Sequence, residues 1–180
     1  MLFAVPAIHQ DKAIELLTSP GSSLAAKFGR KPTAPTRTEL LFLPYYCFDV
    51  ELSGSGNGQT VRVAVDGLSG DAVFFITREL EFTSLEDQQS CDFEISAHDA
   101  QEIAADQYKR MLLEHGLRNK TATTVHGISD ADRTLYPFWV GFFRKGNTYD
   151  FKALDAVSGE VQGVRMRKVF LKAFRQLDNR

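Results

Sequence analysis

One stretch occurs twice in the chain, and it constrains the fold more than any other feature. The clearer copy covers residues 136–159, YPFWVGFFRKGNTYDFKALDAVSG; the other covers residues 43–70, LPYYCFDVELSGSGNGQTVRVAVDGLSG. Each opens with proline and aromatic residues in an extended pattern and passes a Gly/Asn-rich turn. Each then returns along an alternating strand and closes in Asp-x-x-Ser-Gly. The Asp side chain in such a closure accepts from backbone N–H groups two residues on, and the last Gly supplies a positive φ. A strand–turn–strand–turn unit used twice predicts one domain over 1–180 with an internal repeat, approximately 1–90 and 91–180.

The two opening strands have apolar side chains on both faces. In residues 38–52, Leu41, Leu43, Tyr45 and Cys47 point one way, and Phe42, Tyr46 and Phe48 the other. Such a strand is covered on both sides. Pro44 has no N–H for a ladder and belongs at an edge, a bulge or a bend. The return strands read differently: Val61, Val63 and Val65 alternate with Arg62, Ala64 and Asp66, and Tyr149, Phe151 and Ala153 define one buried face. Each Asp-x-x-Ser-Gly turn leads to a further predicted strand, residues 71–77 and 160–164. Residues 3–5 predict a short edge strand and 121–125 another strand, with a polar turn at 129–133.

Helices come from the 3.6-residue period. Residues 10–17 place Ala13, Ile14 and Leu17 on one face, and a second short helix is expected after Ser22 or Ser23, ending before Gly29. Residues 30–37 carry two prolines and three basic residues and read as a linker; residues 54–58 read as a hairpin loop and 78–90 as loop. Ser96 with Asp99 predicts an N-cap for a helix over 97–115, with Gly116 just past its end. Its stripe is Ala100, Ile103, Ala104, Tyr108, Met111 and Leu112. A last helix over 164–177 turns Met166, Val169, Phe170, Ala173, Phe174 and Leu177 inward and Arg165, Arg167, Lys168, Lys172 and Arg175 outward. The expected fold is α+β: two related helix-plus-antiparallel-meander repeats form one or two abutting antiparallel sheets with the helices packed against them.

The second repeat resembles the PepSY-type module through the acidic, alanine-rich helix over 97–112 and the closure Asp155-Ala156-Val157-Ser158-Gly159-Glu160-Val161. Asp66-Gly67-Leu68-Ser69-Gly70-Asp71-Ala72-Val73 matches in the first repeat. The resemblance implies an inhibitory or accessory module without catalytic residues of its own, usually in exported or membrane-linked proteins.

The chain itself is read as cytoplasmic. Residues 1–8 lack a basic segment, and no apolar run approaches the roughly 20 residues a spanning helix needs. A net charge of -2 argues against nucleic acid as an obligatory partner. The two cysteines, Cys47 and Cys91, make no CxxC or zinc spacing and read as buried reduced thiols; spacing does not decide whether a disulfide links the halves instead.

Catalytic and metal patterns are thin. His98 and Glu102, four apart beside Asp99, suit two ligands of one metal, or simply acids at a helix start. Asp66 and Asp155 would form a carboxylate pair if the turns met, or would each close its own turn. Ser69 and Ser158 lie outside any GxSxG, and the glycine-rich loop at 54–58 lacks the Lys-Ser/Thr of a phosphate cradle. No catalytic residue, metal ligand set or cofactor is assigned. The leading expectation is a non-enzymatic protein-interaction or regulatory module whose partner, or second copy, meets the basic residues Arg165, Lys168, Lys172 and Arg175; weak contact with an anionic membrane suits the same face. The alternative is a small-ligand carrier whose pocket is lined by Tyr45, Tyr46, Tyr136 and Trp139.

Overall fold

The computed structural model describes residues 1–19, 33–53, 59–74, 80–83, 90–119 and 124–179. The expected second helix after Ser22 and the hairpin loop at 54–58 lie outside the described residues. So do residues 30–32 of the linker and most of the loop at 78–90. The fold is α+β. The described strands are β1 (Leu2–Ala4), β2 (Arg37–Ser53), β3 (Gln59–Asp66), β4 (Ala72–Phe74), β5 (Phe82–Thr83), β6 (Thr124–Ile128), β7 (Asp132–Lys145) and β8 (Thr148–Asp155). The described helices are α1 (Gln10–Thr18), α2 (Ala97–Asn119) and α3 (Val164–Asp178). They fall into two compact units. Unit 1 comprises Met1–Ala4, Leu43–Ser84 and Cys91–Tyr136; unit 2 comprises Val5–Phe42, Leu85–Ser90 and Pro137–Arg180.

Unit 1 contains β1, β3, β4, β5 and β6 with residues 43–53 of β2 and 132–136 of β7, in the hydrogen-bonded order β4-β3-β2-β7-β1-β5, with β6 also on β2. The β2–β3 pair is antiparallel from Tyr45↔Asp66 to Leu52↔Gln59. Pro44 therefore sits just past the end of that ladder, where its missing N–H costs no bond to β3. The sheet is mixed rather than antiparallel, because β1 runs parallel to β7 through Leu2↔Thr134 and Phe3↔Leu135. Nor is β1 an edge strand, since β5 pairs with its other side. Its three residues could not reveal this, as two side chains on one face and one on the other carry no signal about neighbours. The core brings Tyr46, Phe48 and Val50 of β2 and Val63 and Val65 of β3 against Ala100, Ala104 and Tyr108 of α2. Ser96 caps α2 as expected: its Oγ accepts from the Asp99 N–H at 3.1 Å and donates to Asp99 Oδ2 at 2.8 Å. The helix does not stop at Gly116 but continues to Asn119. A glycine inside a helix costs only about 1 kcal/mol against alanine, which does not by itself end one.

Unit 2 is built on the β7–β8 hairpin, antiparallel from Phe138↔Asp155 to Lys145↔Thr148 around Gly146, whose φ is +64°. Both faces are covered, as alternation of side chains requires. On one face Trp139, Leu154 and Ala156 pack with Ala13 and Leu17 of α1. On the other, Phe138 meets Phe170 of α3 edge-on at 5.4 Å between centroids, and Phe151 meets Phe174 at 5.0 Å. The expected strand over 160–164 is reduced to a single bridge, Leu154↔Val161, because the amphipathic period of α3 takes over at Val164.

In both units a helix packs on the hairpin that lies far from it in sequence. α2 covers β3, and α1 covers β8.

Candidate functional site

The two Asp-x-x-Ser-Gly turns carry matching bonds. Asp66 Oδ1 accepts from the Leu68 and Ser69 N–H groups at 2.7 and 2.8 Å, and Asp155 Oδ1 from Val157 and Ser158 at 2.8 and 2.9 Å. The closing glycines, Gly70 and Gly159, have φ of +78° and +77°. A proline carbonyl receives the next N–H in each case: Gly67 to Pro44 at 2.7 Å, and Ala156 to Pro137 at 3.1 Å. Each turn then holds the segment entering a helix, Glu94 N–H donating to Gly67 O and Ile8 N–H to Ala156 O. Each carboxylate thus closes its own turn. They differ in burial. Asp66 is fully buried with Oδ2 lacking a partner, and burial raises its pKa against the lowering effect of the Ser69 and Leu68 N–H groups. Asp155 is half-buried.

The four aromatic residues singled out for a ligand are in the packed interior. Tyr45 and Tyr136 stack edge-on at 6.0 Å in unit 1. The Tyr46 hydroxyl donates to Ile95 O at 3.0 Å, beneath the start of α2, and its ring lies 4.5 Å from that of Phe93. In unit 2 the Trp139 Nε1–H donates to Ile8 O at 2.7 Å, beneath the start of α1. Tyr46 and Trp139 thus hold corresponding helix entrances, each giving its single polar hydrogen to a backbone carbonyl.

His98 and Glu102 approach to 3.6 Å on the exposed side of α2. Among the described residues no three His, Cys, Asp or Glu side chains gather as a metal site. Cys47 and Cys91 are both buried and are not joined in a disulfide, and burial raises the Cys47 thiol pKa. Among the described residues no helix is long and apolar enough to cross a membrane.

The outward side of α3 is the most distinctive surface of unit 2. Arg165, Lys168, Lys172 and Arg175 are all exposed. Among the described residues, Arg165, Lys168 and Arg175 have no carboxylate within salt-bridge distance. The first turn of α3 carries no acid. Val164 and Leu171, seven apart and so on one side of the helix, lie 82% and 45% exposed among these cations. Arg167 behaves differently. Its Nη2 donates to Asp150 Oδ1 at 2.7 Å, its Nη1 to Phe151 O at 3.1 Å, and its guanidinium lies 4.3 Å from the Phe151 ring centroid. The hydrogen bond from Arg167 lowers the Asp150 pKa. Beside this pair is a cavity of about 300 Å³ walled by Phe151, Ala153, Val164 and Phe170. Sequence reading placed Arg167 only among outward charges. The available signal was its position one turn before the buried Phe170, at the border of the apolar stripe.

Compared with protein-family models, curated proteins and solved structures, the chain matches none.

Proposed function

We propose that the chain is a non-catalytic interaction or regulatory module that binds an acidic protein segment through the outer side of α3. The carrying observation is the exposed row Arg165, Lys168, Lys172 and Arg175 around the exposed Val164 and Leu171. Cations in that number attract an acidic partner from a distance, and the two aliphatic side chains add a surface that gains from losing water. The module is two copies of one unit. Supporting this are the matching turns, the Tyr46 and Trp139 bonds to helix entrances, and the paired positions Ile95/Ile8 and Ile103/Leu16, whose methyl groups face Gly70 and Gly159 respectively. The resemblance to the PepSY-type module belongs to the same proposal, with the Asp-centred turn as its support. So does a cytoplasmic setting, for which two buried thiols not joined in a disulfide speak. The small-ligand reading has less support, because Tyr45, Tyr46, Tyr136 and Trp139 pack against protein.

The test is native mass spectrometry of the protein from its own host, followed by Lys168→Glu with Lys172→Glu. A complex that dissociates as salt rises above about 0.15 M, where exposed charges are screened over about 8 Å, and that the charge reversal abolishes, supports the reading. A complex unchanged by both removes α3 from it.

A further inference from the structure

The return strands of the two units end differently at their outer edges. In unit 1, β4 lies antiparallel on β3, with Val65, Ala64 and Val63 opposite Ala72, Val73 and Phe74. Moving along the chain by the spacing of Asp66 and Asp155 carries Val65↔Ala72 onto Leu154↔Val161, the lone bridge of unit 2. The Gln162 N–H still donates to Ala153 O at 2.8 Å. There the pairing stops, and the chain turns through Gly163 into α3. The next residue of β8 facing outward is Phe151, and side chains occupy both of its backbone groups. Its carbonyl accepts from Arg167 Nη1 at 3.1 Å, and its N–H donates to Asp150 Oδ1 at 2.9 Å. Tyr149, the outward residue before it, is 71% exposed. Among the described residues unit 2 therefore has an unfinished strand edge, where Arg167 and Asp150 take up the backbone groups of Phe151 beside the cavity of about 300 Å³.

We propose that the β8 edge at Tyr149 and Phe151 is a strand-addition site for an extended acidic peptide segment of a partner protein. An incoming strand supplies the N–H and C=O groups that Arg167 and Asp150 now supply, so backbone hydrogen bonding is conserved while one exposed ion pair is released. Such a pair contributes little in water, with side chains here 45% and 43% exposed. Every second side chain of the strand would point toward the apolar wall of Phe151, Val164 and Phe170. The exposed cations Arg165 and Lys168, with the released Arg167, make the surroundings positive and favour carboxylates at the ends of the segment. The segment filling the corresponding edge in unit 1, Asp71-Ala72-Val73-Phe74, has that composition: an acid followed by apolar residues. The proposal rests on the reading of α3 as the partner-binding side and specifies the conformation and chemistry of the partner.

The experiment uses the full chain and a fluorescein-labelled peptide, Glu-Asp-Ala-Val-Phe-Glu, with two backbone N-methylated isomers. One is methylated at Asp and Val, the other at Ala and Phe. In an added strand only alternate N–H groups face the edge. One isomer is expected to bind at least about tenfold more weakly than the parent, and the other within about twofold, by fluorescence anisotropy. Equal binding of both isomers and the parent, weakened by salt, overturns strand addition while leaving the basic side of α3 as a docking surface. No binding of the parent at millimolar concentration overturns the proposal. A chain that sediments as a dimer and admits the peptide only on dissociation overturns it in favour of a second copy as occupant.

Discussion

Replacing Gly67 with alanine tests the closest backbone approach in unit 1. A Cβ at this position would stand 2.7 Å from Phe93 Cδ1 and 2.9 Å from the Pro44 carbonyl oxygen. The two neighbours differ in how they can yield. The Phe93 ring can rotate, losing part of its 4.5 Å stack on Tyr46 and of the Arg133 guanidinium held 5.5 Å above it. The Pro44 oxygen is backbone within β2, and it accepts the Gly67 N–H at 2.7 Å. Moving it lengthens that bond. Overpacking a tight site costs about 1–3 kcal/mol, and a weakened backbone bond about 1 kcal/mol more. The expected destabilisation of Gly67→Ala is therefore about 3 kcal/mol, read as a lower urea midpoint at unchanged m value. The corresponding residue of unit 2 is Ala156, fully buried, whose N–H lies 3.1 Å from Pro137 O. That longer bond makes room for the methyl group. Phe93→Ala removes only the movable obstacle, so Gly67→Ala should still cost about 1–2 kcal/mol in that background. A loss below about 0.5 kcal/mol in the native background would refute the claim that the Pro44 oxygen limits this turn.

Tyr46→Phe and Trp139→Phe each delete one hydrogen bond to a helix-entry carbonyl, Ile95 O and Ile8 O, and should each cost about 1–2 kcal/mol in urea unfolding. An unchanged midpoint for both would mean that these bonds do not anchor the entrances. Asp66 gives a pH dependence of fixed sign. Its folded pKa is raised above 3.8 by burial, so the stability it contributes is complete below the unfolded value and is lost as pH rises through the folded one. Asp66→Asn should flatten the fall in urea midpoint over that interval, and a wild-type and variant profile of the same slope would remove Asp66 as its source.

The parts legible in the sequence were those whose cause is local. Eight consecutive residues, Leu41–Phe48, are buried in β2, as apolar side chains on both faces require. The Asp-centred turns follow from a carboxylate and a glycine in fixed register, and α3 from an unbroken 3.6-residue stripe. Features set by distant partners were not legible. Nothing around Leu2–Ala4 announces β7 on one side and β5 on the other. Residues 160–164 alternate like a strand, yet the helix starting at Val164 claims the end of the segment. Tyr46 and Trp139 stood out by size, but their roles depend on carbonyls at Ile95 and Ile8, far away in the chain. Arg167 looked like any exposed cation until Asp150 and the Phe151 carbonyl were placed beside it.

The packing of α2 on β3 and of α1 on β8 bears on how the protein is made. Unit 1 takes in β1, which precedes the rest of the unit in the chain, yet β1 pairs with Thr134 and Leu135. Unit 2 waits longer, since α1 near the start rests on β8 near the end. A nascent chain halted at residue 90 would hold the hairpin of one unit and the helix of the other, with neither complete. Neither unit can therefore close before its late strand has been made, and the high sequence separation of these contacts places the chain among slow folders. Until β8 is made, the apolar side of α1 lacks the Trp139, Leu154 and Ala156 against which it packs.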